Sequence, residues 1–169
     1  VMALNNPAAF GRSRRVRRLV AAAARERGLA STWELETAAL LSQLGHVAIP
    51  DVILERASMG QTLSEDQARM LDEHPQLTSR LLGKIPRLQT VAAMIAPGAA
   101  DDGAADPGIQ VAARLLLAAT DYEELMALGA EVEQARAALA DPTRGHDARV
   151  VHAVASAGAE LHRATLQSL

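Results

Sequence analysis

Three aromatic side chains, Phe10, Trp33 and Tyr122, serve a chain of 169 residues in which Ala and Leu dominate, and this imbalance restricts the fold more than any motif does. Strands draw on aromatic and β-branched residues to fill a pleated face. Ala and Leu instead have high helix propensity, and Ala lets helices approach closely. The expectation is an all-α protein, built as one helical bundle of about six to seven helices with a single hydrophobic core.

Apolar spacing places those helices. Within residues 8 to 27, Val16, Leu19, Val20, Ala23 and Ala24 fall on the i, i+3, i+4, i+7, i+8 stripe of a core-facing helix, and Gly28 supplies its stop. Ser31 with Glu34 spells a capping box for a helix through about Leu44, which Gly45 and Pro50 then break. Asp51 is placed to cap a short turn from Val52 to Arg56. Thr62 with Glu65 reads as a second capping box, opening a helix through about Glu73 whose continuation is offset at Pro75 and ends near Gly83. Leu71, Leu77, Leu81 and Leu82 are expected in the core. Pro86 introduces a helix from Leu88 to Ile95.

Residues 96 to 108, rich in Gly, Pro and Asp, read as a mobile loop. After it, Ile109 to Ala119 is expected as a buried helix and Asp121 to Ala140 as an amphipathic one. Asp147 to Leu166 reads as the terminal helix.

Charge and composition narrow the chemistry. Cysteine is absent, which removes disulfides, thiolate metal sites and cysteine nucleophiles together and suits a reducing cytoplasm. The net charge of -3 hides an asymmetry: residues 1 to 30 carry +6, and the remainder -9. No apolar run reaches the roughly 20 residues of a membrane helix, and no secretory pattern opens the chain, so a soluble cytoplasmic protein is expected. Sequence that turns helical almost at once after Val1 points to an upstream domain.

The segment Leu41-Ser42-Gln43-Leu44-Gly45-His46-Val47-Ala48-Ile49-Pro50-Asp51 carries the strongest motif-like signal. It resembles the L-H-D-I-G-K-I-x-I-P-D run of HD-GYP domains, relatives of the HD-domain phosphohydrolases that include cyclic-di-GMP phosphodiesterases. Other landmarks follow in the family's order. Gly11-Arg12-Ser13-Arg14-Arg15-Val16 is similar to G-H-S-x-R-V, and Leu63-Ser64-Glu65 with Glu73-His74-Pro75 is similar to L-T-x-E-E and K-x-H-P. Leu115 to Leu125 resembles I-L-A-V-A-D-x-F-D-A-L, and Gly145 to Val151 the closing G-x-x-F-D-P-x-L-V. The resemblance spans about Asn5 to about Ala155 and implies the helical HD fold, a bacterial signalling role and attachment to a receiver or sensory domain.

The same resemblance implies lost chemistry. The family's metal-binding His-Asp pair falls on Ser42 and Gln43, its nearby Lys on His46, and its late metal Asp on Thr120, with Asp121 one residue away. The H-P histidine is kept as His74. The H-H-E run falls near Ala96-Pro97-Gly98-Ala99, and the G-Y-P loop has no counterpart. Hydrolases of this kind ionise a bridging water and clamp phosphoryl charge with two or more metal ions held by several His and carboxylates. Ser and Gln are neutral, weak ligands that cannot offset the charge of a metal pair.

Remaining polar residues are expected to be ordinary. His74 is expected as a hydrogen-bonded residue beside a Pro-broken helix, His46 as a surface substitution, and His146, His152 and His162 as residues of an exposed terminal helix. Asp101, Asp102 and Asp106 match no calcium-loop spacing and read as solvating loop residues. Five Arg in seven residues, Arg12, Arg14, Arg15, Arg17 and Arg18, read as a solvated helix face that could meet an anionic partner. Nucleic acid is not expected there, because no stacking aromatics accompany them.

The function that follows is a catalytically inactive HD-GYP-like output module acting by protein contact, with no cofactor and no catalytic residue. Two other readings stay open: a divergent metal-dependent cyclic-di-GMP phosphodiesterase using His74, Asp121 and the loop aspartates, and a nucleotide or small-molecule sensor using the vacated pocket. Homodimer formation is left open.

Overall fold

In a computed structural model, residues 7–29, 32–96, 98 and 106–167 are described. Among them the chain forms eight α-helices, two 3-10 segments and no strand. The expected all-α class is what the chain adopts. Helix α1 (Pro7–Glu26) lies at the centre and packs against α2 (Trp33–Leu41), α6 (Pro107–Ala127) and α8 (Ala148–Gln167). The stripe expected on it is its inward face: Val16, Val20, Ala23 and Ala24 have no exposed surface, and Leu19 almost none.

Small side chains explain how so few bulky residues fill the core. Ala38, Ala39, Ala118, Ala119, Ala135 and Ala157 are buried at helix contacts, which lets backbones come close around Leu19, Leu82, Leu115 and Leu139. Each of those fully buried Leu side chains contributes roughly 1.5–3 kcal/mol of apolar transfer. Tyr122 is the one aromatic residue in this core, while Trp33 is half exposed.

Several element boundaries depart from the sequence reading, each for a local reason. After α2 the chain tightens at Leu41 into a 3-10 segment, Ser42–Ala48, instead of continuing as α-helix to Leu44. The expected short turn at Val52 is a two-turn helix, α3 (Asp51–Ser58), with Pro50 at its N-cap and Asp51 already inside its first turn. Helix α4 (Glu65–Gly83) opens on a capping box formed by Ser64 and Gln67, not by Thr62 and Glu65. The two signatures overlap, and Ser is the stronger N-cap.

Helix α4 also runs straight through Pro75. Of its leucines Leu82 is the fully buried one; Leu71 and Leu77 are half-buried, and Leu81, expected inside, is exposed. Helix α5 (Gln89–Ile95) follows. Asp106 then caps α6, its carboxylate accepting from the Gly108 N–H at 2.7 Å.

Helix α6 does not stop before Asp121 but continues to Ala127. Gly129, at φ 89°, ends this run, and α7 (Val132–Leu139) starts behind its own capping box of Glu131 and Gln134. A second 3-10 turn, Pro142–Arg144, leads to α8. The Ser31 capping residue, the helix entry at Met2 to Leu4, and most of the expected loop, including Asp101 and Asp102, lie outside the described residues.

Candidate functional site

The 3-10 segment Ser42–Ala48 crosses α4, and glycine makes that crossing possible. A Cβ built on Gly45 would overlap the His74 carbonyl oxygen and lie 2.7 Å from Thr78 Oγ1. Backbone therefore touches backbone here, and only Gly fits. The Gly45 N–H donates to Thr78 Oγ1 at 2.8 Å. The fully buried Thr78 hydroxyl donates in turn to the His74 carbonyl at 2.9 Å, with the Ser42 carbonyl 3.4 Å away.

Ser42 and Gln43 are buried in this junction. The Ser42 hydroxyl donates to the Ala39 carbonyl at 3.0 Å, so it caps its own helix. Gln43 Oε1 is buried without a hydrogen-bond partner among the described residues. Such an orphaned acceptor costs about 1–3 kcal/mol of desolvation.

Pro75 explains what His74 does. Proline has no N–H, so the Leu71 carbonyl four residues earlier loses its helical partner. The His74 Nδ1 lies 2.5 Å from that carbonyl oxygen and, as the protonated nitrogen, donates to it. Histidine and proline together thus carry an unbroken helix through a residue that was expected to offset it. The His74 ring also packs on His46, with centroids 4.1 Å apart and planes inclined by 45°.

His46 is consequently no surface substitution: it is half-buried, and its pKa falls from 6.5 to about 3, through burial first, then His74 and Arg12. Burial also lowers the pKa of His74, outweighing its bond to Leu71 and the field of Asp72. Both rings are therefore neutral near pH 7.

The other sequence candidates are scattered. Thr120 turns its hydroxyl back to the Leu116 carbonyl of its own helix, at 2.8 Å. Asp121 is held by His146 Nε2 at 2.9 Å and Arg144 at 3.4 Å. His146, expected to be exposed, has a side chain only 4% exposed, because it precedes α8 and turns in to meet that carboxylate. His152 and His162 are exposed as expected.

The five arginines face different neighbours around α1. The Arg12 charge acts on His46, Arg14 stands over the Phe10 ring at 6.0 Å, and Arg17 lies 3.8 Å from Glu36. Arg15 Nε donates to Glu123 Oε2 at 2.6 Å. Among the described residues, no three His, Asp or Glu side chains lie close enough to share a metal ion.

Sequence reading overlooked Thr78, Tyr122 and Glu123. The spacing of Thr78 from His74, one helical turn, was the available signal for the first. The buried Glu123 carried none, because its partner lies 108 residues away.

No curated protein and no solved structure matches the chain. The family profile of the HD domain matches residues 1–141, most of the chain and the whole of the junction just described. On that match, and with its all-helical architecture, the chain belongs to the HD domain family.

Proposed function

We propose that this protein is a catalytically inactive, HD-GYP-like output module that works in bacterial signalling through protein contact. The observation that carries this reading is the chemistry of the junction at Ser42, Gln43, His46 and His74. A phosphohydrolase of this fold class needs carboxylates to offset the charge of its metal ions and imidazoles free to bind them. The donor set here does not fit that requirement. Two buried neutral side chains, Ser42 and Gln43, occupy the pair position and supply no carboxylate there.

Asp121, the nearest substitute in sequence for a late metal ligand, is engaged with His146 and Arg144. The scaffold meanwhile keeps its close packing through Gly45 and Thr78. Apolar surface supports a partner: Met70 and Leu81 of α4, on one helical stripe with Leu77, are exposed, as are Val52 of α3 and Met59 just beyond it. The protein partner is an upstream receiver or sensory domain, and any link to cyclic-di-GMP runs through regulation.

Metal analysis of the purified full chain, together with an assay for cyclic-di-GMP hydrolysis in Mn²⁺, decides the matter. The expected result is substoichiometric metal and no turnover. Stoichiometric Mn, Fe or Zn accompanied by turnover would overturn the proposal.

A further inference from the structure

Away from that junction, α1, α6 and α8 enclose an open groove of about 300 Å³. Its walls divide by chemistry. Met126 and Leu161 supply apolar surface from two different helices, with Met126 able to adjust its shape. Opposite them stand Arg15, Arg18 and Glu123. Arg15 uses Nε on Glu123, and its two terminal nitrogens make no further bond among the described residues. Arg18 is exposed and has no ion-pair partner among them.

Two guanidiniums set against one carboxylate leave a single net positive charge facing the groove. A dianion would be under-compensated and would meet the Glu123 carboxylate. A monoanion is matched.

Tyr122 makes the second, independent observation. It lines the groove at 2% exposure, and its hydroxyl is buried with no hydrogen-bond partner among the described residues. Gly158, also on the groove wall, leaves room for that phenol: a Cβ there would overlap the ring and stand 2.5 Å from the hydroxyl oxygen. Pairs of this kind leave a polar group waiting for an acceptor that the protein does not supply.

We propose that this groove binds a small monocarboxylate carried on an apolar body, with Arg18 and the free end of Arg15 holding the carboxylate. The Tyr122 hydroxyl donates to it, and Met126 and Leu161 cover the apolar part. Pockets of this size and mixed lining are typical of small organic ligands. The site uses none of the junction residues and stands apart from the proposed inactivity, which metal content and turnover test by themselves.

The experiment is an NMR-detected titration of the full chain at pH 8 with octanoate, run beside octanol and octyl phosphate. Saturable shifts confined to residues 15–19, 122–127 and 158–165 are expected for octanoate, with octanol at least tenfold weaker, on the order of one charge-assisted contact. Arg18→Gln, an exposed position whose folding is checked by circular dichroism, is expected to weaken octanoate about tenfold. Tyr122→Phe is expected to weaken it about fivefold, the loss of one hydrogen bond. Absence of saturation, equal binding of octanol, or an unchanged affinity in folded Arg18→Gln would each overturn the site. Tighter binding of octyl phosphate would overturn the monocarboxylate assignment.

Discussion

The junction around Gly45 and the groove around Glu123 lie on the same central scaffold and resolve the burial of polar groups in opposite ways. At the junction these bonds are all neutral: Gly45 N–H to Thr78, Thr78 to the His74 carbonyl, His74 to the Leu71 carbonyl. At the groove a carboxylate with a side chain 11% exposed is met by a guanidinium 46% exposed. Neutral bonds suit a contact without water, because charge there is costly to desolvate. A half-wet ion pair suits an opening, where solvent lowers that cost. The contrast teaches that the crossing of the Ser42–Ala48 segment with α4 is a neutral, largely buried contact, while the Arg15–Glu123 pair sits at an opening.

The sharpest way to break this comparison is to add one carbon at the junction. Gly45→Ala forces a Cβ against the His74 carbonyl, which is backbone and cannot rotate away. A loss of about 3 kcal/mol is expected, near the top of the usual overpacking range. In a domain of this size that lowers Tm by roughly 6–12 °C in a thermal melt. A Tm shift below 2 °C would show that the two segments do not touch.

Thr78→Val tests the neutral bonds themselves. It keeps shape but strands the buried Gly45 N–H, at an expected cost of about 2 kcal/mol. Thr78→Ser, which keeps the hydroxyl, should cost less than half as much. Urea unfolding of the three proteins measures both, and equal losses for Val and Ser would remove the hydrogen-bond account.

Acid should act on the junction before the groove. His46 binds a proton in the unfolded chain near 6.5 but in the folded protein only near 3. Its contribution is thus fully present above pH 6.5 and is lost as pH falls from there towards 3. Between pH 7 and pH 5 the loss is at most about 2 kcal/mol, at 1.36 kcal/mol per unit. The lowered pKa of His74 adds in the same direction. His46→Asn should flatten the dependence of Tm on pH in that window; an unchanged slope would deny the burial of this ring.

The smallest effect is expected at the groove. Arg15→Met leaves Glu123 without its partner but near solvent, so a loss of about 1 kcal/mol is expected. Adding 1 M salt should shrink that difference, since exposed charge is screened, and should leave the Thr78→Val loss unchanged. If salt moved both alike, the distinction between a dry and a wet region would fail.

Much of the fold was legible because helices write their periodicity locally. The stripe from Val16 to Ala24 named the inward face of α1 correctly, residue by residue. Where two local signals competed, as with the caps at Thr62 and Ser64, the order was not legible. Pro75 misled for a related reason. Its cost is local, but its compensation by His74 depends on a rotamer that no spacing rule reveals. His46 and His146 misled because both look like solvated residues until another helix covers them.

The sequence alone determined the helical class and the face on which α1 is buried. These depend on residue type and on neighbours within a few turns. Tertiary structure alone decided that Gly45 meets Thr78 across 33 residues, Asp121 meets His146 across 25, and Arg15 meets Glu123 across 108. Such pairs depend on how whole helices dock. That geometry is set by the sum of many weak apolar contacts, and no single residue encodes it.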